Sequence, residues 1–464
     1  MGILAAFMVP HPPLIIPEVG RGEERAIQTT IDAYKEVAKR IGNLQPETLI
    51  VISPHQIMYA DYFHISPGEQ ARGDFGQFRA SEVEIEVSYD TAFVEELCRQ
   101  TQAQGVHAGT LGVRDKNDRR LDHGTMVPLY FVNQYWKEYQ LVRIGLSSLP
   151  LTVHYELGQC IQETAEILGK RVVVIGSGDL SHRLREDGPY GYQKEGPEYD
   201  RQIMKTMGES AFGELLEFSE NFCEKAGECG HRSFTIMAGA LDRIAVKADQ
   251  LSYEGPFGVG YGVCCYQAVG RESERDFLEQ YEEKVKKKLL DQREQEDDYV
   301  KLARKTIEEF VKTGTMIEIP EGLPEELYNS RAGAFVSIKK DGTLRGCIGT
   351  IQAVQASLAE EIINNAVSAC SRDPRFSPIK RKELETLSIS VDILGEAEKI
   401  DSPEKLNVKR YGVIVTNGFR RGLLLPNLEG VDSIEQQISI ARQKAGIGES
   451  ESVELERFEV VRHF

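Results

Sequence analysis

The sequence predicts an α/β domain with a mostly buried sheet, followed by a smaller α+β domain. Three observations carry this. Before about residue 270, short β-rich apolar runs alternate with longer amphipathic ones, the pattern of strands and helices in turn. From Arg271 to Asp298, 18 of 28 residues are charged, which marks a boundary. Beyond it, apolar runs come in pairs around tight-turn residues and predict antiparallel hairpins.

The first strand is "ILAAFMV". It runs into "PHPPLIIP", where Pro10, Pro12, Pro13 and Pro17 forbid a helix and hold an extended turn. Such a turn is expected to present His11 rather than bury it. A helix follows with Ile27, Ile31, Tyr34, Ala38 and Ile41 on one face. Then come the strands "TLIVIS" and "YQLVRIGLS", a helix around Tyr155 to Leu168, and the strands "RVVVIGSG" and "GVGYGVCCYQAV". The charged segment repeats Leu278, Tyr281, Val285 and Leu289 at helical spacing, so it reads as a solvated connecting helix with one narrow apolar stripe. The expected organisation is therefore residues 1–270, a charged helical linker over 271–295, and residues 296–464. The second domain opens with the helix "YVKLARKTIEEFVK" and the hairpin "AFVSIKKDGTLRGCIG", turned at Asp341-Gly342. A helix over about Ala356 to Ala369, the alternating strand "LSISVDIL" and the hairpin "GVIVTNGFRRGLLLP", turned at Asn417-Gly418, complete it.

Charge limits the partners. With 55 basic against 73 acidic residues the formal net charge is −18, which argues against a wide nucleic-acid footprint and favours a small molecule or a protein. The N-terminal apolar stretch is too short for a signal peptide and no run approaches membrane-spanning length, so no membrane partner and a cytoplasmic location are expected. The eight cysteines show no paired metal-ligand spacing and are expected as reduced, mostly buried thiols.

Three histidines fall at strand ends: His11 after "ILAAFMVP", His55 after "TLIVISP", and His182 after "RVVVIGSGDLS". Ligands of open α/β sheets bind beyond the carboxyl ends of the strands, so these imidazoles are expected to converge there. His123, in the Gly-containing turn of "RLDHGTMVPL", and Glu228, Cys229 and His231 of "AGECGHRSF" join the set. Two neutral imidazoles plus one anionic ligand hold a non-haem ferrous ion on one face and leave positions for substrate and dioxygen. His11, His55 and Glu228 supply that set. Zinc accepts the same donors, and a Cys229 thiolate favours softer metals. "GSGDLSH" lacks the third glycine of a dinucleotide loop, and Asp179 would repel a phosphate, so Asp179 is expected to buttress a histidine.

The order "PHPPL", "VISPHQ", "DHGTMVPL", "GSGDLSH" and a late "GEC…GAL" resembles the class III extradiol ring-cleavage dioxygenase superfamily, the LigB-like group that includes the Memo proteins. The resemblance covers about residues 1–270. It implies that His11, His55 and an acidic residue near Glu228 ligate Fe(II), with zinc, copper or manganese as alternatives. It also implies that His123 and His182 act beside the metal, His182 as the acid/base and His123 orienting oxygen or substrate. Memo proteins carry Cys-Gly where the dioxygenases carry the glutamate; here "ECG" offers both Glu228 and Cys229, of which the carboxylate is the expected donor for dioxygen chemistry. The activity implied is ring-opening oxidation of an aromatic or related small molecule. The alternatives are a non-catalytic metal-binding or interaction protein, or a metal-dependent hydrolase or ligase.

"LRGCIGT", "SRDPRFSPI", "ISVDIL" and "GLLLP" make the rest, about 296–464, similar to the AMMECR1 domain family, whose biochemical role is largely uncharacterised. Memo-like and AMMECR1-like proteins are associated with a radical SAM protein, which is the implied protein partner. Gly346 and Gly349 permit close approach to Cys347 by a backbone or a ligand. Arg345, Arg372 and Arg375 are placed to lower its thiol pKa or bind a carboxylate or phosphate, with Asp373 orienting them. The alternative is a small cysteine in a tight strand.

Overall fold

The computed structural model describes residues 2–112, 120–340, 342–428 and 430–464. The chain forms two compact units that divide between Glu282 and Glu283. In the first, six strands make one mixed sheet: β1 (Ile3–Val9), β2 (Thr48–Ile52), β3 (Gln140–Ile144), β4 (Val172–Ser177), β5 (Ile244–Glu254) and β6 (Tyr261–Arg271), in the order β3-β2-β4-β1-β6-β5. The first four of that order run parallel, and β6 returns antiparallel to both β1 and β5.

Both faces of the sheet are buried, which is why its strands read as continuous apolar runs. Ala6, Met8, Ile50 and Ile52 pack toward one core and Ala5, Phe7, Val9, Leu49 and Val51 toward the other. Helices α1 (Gln28–Leu44) and α2 (His123–Val132) cover the second face through Ile31, Tyr34, Met126 and Val127. Helices α3 (Leu151–Ile167) and α4 (His231–Gly239) cover the first through Tyr155, Ile161, Phe234 and Met237. Register then aligns the strand ends. Val9 lies opposite Ser177 and Ile52 opposite Gly176, so the chain leaves β1, β2 and β4 at one edge. The hairpin of residues 70–75 and 80–88 and the long strand β5 have no counterpart in the sequence reading, because their mostly half-exposed faces carry charged residues where apolar ones would mark a strand.

The charged segment is helical as α5 (Phe277–Glu294). Its opening turn belongs to the first unit, with Leu278 buried in the core and Arg275 lying over the Phe212 and Phe277 rings. The second unit has two four-stranded antiparallel sheets. One contains β7 (Ala334–Lys340), β8 (Thr343–Gly349), β9 (Leu387–Leu394) and the C-terminal strand Val460–His463, in the order β8-β7-β9-C-terminal strand. Helices Asp298–Thr313 and Leu358–Ser371 cover it through Ile307, Ile362 and Ala366, against Val336, Ile338 and Val391. The other is built on the hairpin 412–417/420–424 and the helix Ile434–Ala445. The first unit is thus α/β and the second α+β. Asp341 of the expected Asp341-Gly342 turn lies outside the described residues; Gly342 has the positive φ of 78° that such a turn requires. Among the described residues no helix is long and apolar enough to cross a membrane.

Candidate metal centre

The strand ends bring His11, His55 and Cys229 together. His11 Nε2 stands 3.0 Å from His55 Nε2 and 3.6 Å from Cys229 Sγ. One ligand atom from each lies within 4.8 Å of the others. Two nitrogens about 2.1 Å from one ion and 90–110° apart are separated by about 3.0–3.4 Å, so these spacings suit three donors on one face of a metal. The donor chemistry suits it as well. Burial holds the His11 pKa well below its usual value, helped by the neighbouring His55, His123 and His182, and enclosure lowers His55 despite its opening to solvent. Both rings are therefore neutral lone-pair donors near pH 7. The Cys229 thiol is pushed up by burial, the reverse of what a bound cation does to a coordinating sulfur.

Each donor has its own support. His11 is only 2% exposed, so the proline turn does not present it to solvent as expected. Its backbone N–H donates to Asp179 Oδ1 at 2.7 Å, and Tyr34 Oη–H donates to the Pro10 carbonyl. The prolines stiffen a buried ligand loop. Asp179 also donates its N–H to Cys229 Sγ at 3.3 Å, tying the β4 loop to the Cys229 loop. That contact needs two glycines: a Cβ on Gly178 would lie 2.1 Å from Gly230 Cα. His55 donates its N–H to Ser53 Oγ, whose hydroxyl donates to Asp122 Oδ1 at 2.5 Å.

Glu228, the expected acidic donor, is not in this group. Its carboxylate accepts the His231 N–H at 2.6 Å at the start of α4, and burial raises its pKa to about 7. Neighbouring residues point apart, and here the sulfur takes the inward direction. His123 does not sit in a turn. It is the first residue of α2, capped by Asp122, and its ring centroid is 4.0 Å from that of His55. His182 donates Nδ1–H to the Gly227 carbonyl at 2.7 Å, which leaves Nε2 as an acceptor. Beside these rings opens a cleft of about 780 Å³ lined by His55, Gln56, Asp74, Arg120, His123 and Arg143 among others. Arg120 pairs there with Asp74, and buried Arg143 approaches Asp122 to 3.7 Å. Ser53, Asp122 and Ser177 complete the site without a functional signature in the sequence; the one local signal is an Asp directly before the helix that "HGTMVPL" forms, an N-cap pattern.

In the second unit Cys347 is half-buried on the edge strand β8, and Ser337 Oγ–H donates to its sulfur at 3.2 Å. The surrounding charges are engaged. Asp373 accepts the Cys347 N–H at 2.9 Å and pairs with Arg375, which donates to the Cys347 carbonyl at 3.1 Å. Arg345 pairs with Glu383 and donates to the Ser377 carbonyl, and Arg372 is exposed at a helix C-cap. Gly346 and Gly349 are required by backbone packing, since a Cβ would lie 2.3 Å from the Ala369 carbonyl oxygen or 2.2 Å from the Phe335 ring.

Comparison with known proteins identifies both domains. The family described as the catalytic LigB subunit of aromatic ring-opening dioxygenase matches residues 5–264, and AMMECR1 matches 300–463. A protein of Clostridium acetobutylicum is 41% identical over 100% of this chain and 99% of its own length. One of Thermotoga maritima is 50% identical over 36% of this chain and 98% of its own. An uncharacterized protein of Pyrococcus horikoshii, of known crystal structure, is 34% identical over 35% of this chain and 88% of its own, at a TM-score of 0.34. The chain therefore belongs to the LigB family of aromatic ring-opening dioxygenases and carries an AMMECR1 domain after it.

Proposed function

We propose that the chain is a non-haem metal-dependent oxidoreductase of the extradiol dioxygenase type, acting on an aromatic or related small molecule with two adjacent oxygen donors. The observation that supports it is the cluster of His11, His55 and Cys229 with His123 and His182 close to it, next to an open polar cleft that His55 and His123 line. Fe(II) is the metal of this reading; bound by those three residues, it supplies the electron transfer between diol and dioxygen that a side chain alone does not.

The chain's own residues handle protons and position. His182 Nε2 accepts a proton from the substrate hydroxyl, because its Nδ1–H is committed to Gly227 and enclosure keeps the ring neutral. His123, also kept neutral by burial and by His55, orients the substrate from the N-terminus of α2. Arg120 and Asp74 bind polar groups at the rim of the cleft. The AMMECR1 domain on the same chain supports one shared pathway, with a radical SAM protein as the proposed partner.

Anaerobically isolated protein, loaded with Fe(II) and offered a panel of vicinal diols in an oxygen electrode, tests the reading. Oxygen uptake that depends on the diol and disappears in His55→Ala is expected. With His182→Ala, iron is expected to stay and turnover to fall about 10²- to 10⁴-fold. Stoichiometric iron without diol-dependent uptake overturns the dioxygenase assignment. Cys229 favours a second reading, since a thiolate beside two imidazoles also suits zinc or copper in a hydrolytic or purely binding role. Isolation with one zinc or copper and no iron would select it.

A further inference from the structure

Ser177 ends β4 with its side chain fully buried, and it touches two groups. Its Oγ lies 2.6 Å from the Gly124 carbonyl oxygen and 3.0 Å from His11 Nδ1. A carbonyl oxygen has no proton to give, so the Ser177 proton is committed to Gly124 and the serine oxygen faces His11 with lone pairs. His11 Nδ1 then carries the ring proton. The Gly124 carbonyl is available because of the residue four positions on. In a regular helix the N–H of residue 128 would bond it, but α2 has Pro128 there, and a proline nitrogen carries no proton.

We propose that Ser177, anchored on the carbonyl that Pro128 leaves without a helical donor, is a positioning residue that fixes His11 as the Nδ1–H tautomer and aims its Nε2 lone pair at His55 and Cys229. This rests on the reading of His11 as a metal ligand. One further consequence follows from the 3.0 Å contact between the two Nε2 atoms: without metal, the shared proton belongs to His55. Metal loading then requires a proton shift on His55 and none on His11. The same link ties the β1 end to the first turn of α2, where His123 sits, so the two imidazoles keep one spacing.

Two measurements on the full chain test it. In metal-free wild-type protein labelled with ¹⁵N-histidine, two-bond proton–nitrogen spectra report which ring nitrogen is protonated, with His11 assigned by its loss in His11→Gln. A protonated Nδ1 and bare Nε2 on His11 are expected; a proton on Nε2 overturns the proposal even if the Ser177 variants misfold. In Co(II) titrations followed by the sulfur-to-metal absorption, Ser177→Ala is expected to bind about ten- to a hundredfold more weakly and Ser177→Thr to recover most of the loss. Wild-type Co(II) affinity in a folded Ser177→Ala also overturns it. Absence of Co(II) binding by wild type would instead remove the metal assignment beneath it, and the tautomer would then be decided by the nitrogen spectrum alone.

Discussion

At the scale of single residues, adjacent side chains do different work. Glu228 holds the start of α4 while Cys229 faces the imidazoles, so Cys229→Ala is expected to lose stoichiometric metal and Glu228→Gln to keep it, as read by metal analysis after gel filtration. Full occupancy in Cys229→Ala would remove the sulfur from the donor set. His154, far from that set in role, gives the first unit a pH dependence. Burial lowers its pKa from 6.5 to about 3. Below pH 6.5 the unfolded chain therefore binds the extra proton and the folded one does not, so stability present above pH 6.5 is lost as pH falls toward 3. Between pH 6.5 and 5 the loss from this group is about 2 kcal/mol. His154→Gln is expected to remove that share of the acid destabilisation in urea titrations at the two pH values. An unchanged difference would assign it to other groups.

At the scale of elements, the edge strand β8 shows how a conspicuous motif is explained by packing. Edge strands expose unpaired backbone groups, and here the Cys347 N–H and carbonyl are covered by Asp373 and Arg375 in place of a neighbouring strand. Arg375 in turn holds the Asp373 carboxyl down to about 2. Asp373→Ala removes the acceptor of the Cys347 N–H and the partner of Arg375 together, and is expected to destabilise the second unit by about 1–3 kcal/mol in denaturant titrations. No measurable loss would free these residues for a role toward a ligand.

At the scale of the whole molecule, the candidate metal donors and the cleft beside them lie within the first unit, and each unit has its own apolar cores. Calorimetry of the full chain is expected to show two transitions, of which saturating Zn(II) or Fe(II) raises only that of the first unit. Metal at 100 times its dissociation constant adds about 2.7 kcal/mol to the state that binds it. A shift in both transitions would show that the units unfold together.

What the sequence determined by itself is what local rules control. Buried parallel strands read as apolar runs, helices show their 3.6-residue period, and prolines and glycines punctuate them, so the two architectures and the strand-end histidines were legible. Tertiary structure decided the rest. Whether Glu228 or Cys229 joins His11 and His55 depends on the direction in which the chain enters α4 and on the Gly178–Gly230 contact, between segments about 50 residues apart. The setting of His11 by Ser177 depends on strand register, and the covering of Cys347 depends on where the 371–375 turn returns to β8. Spacing along a chain carries local geometry, whereas the direction of a side chain at a distant contact is set only when the elements pack.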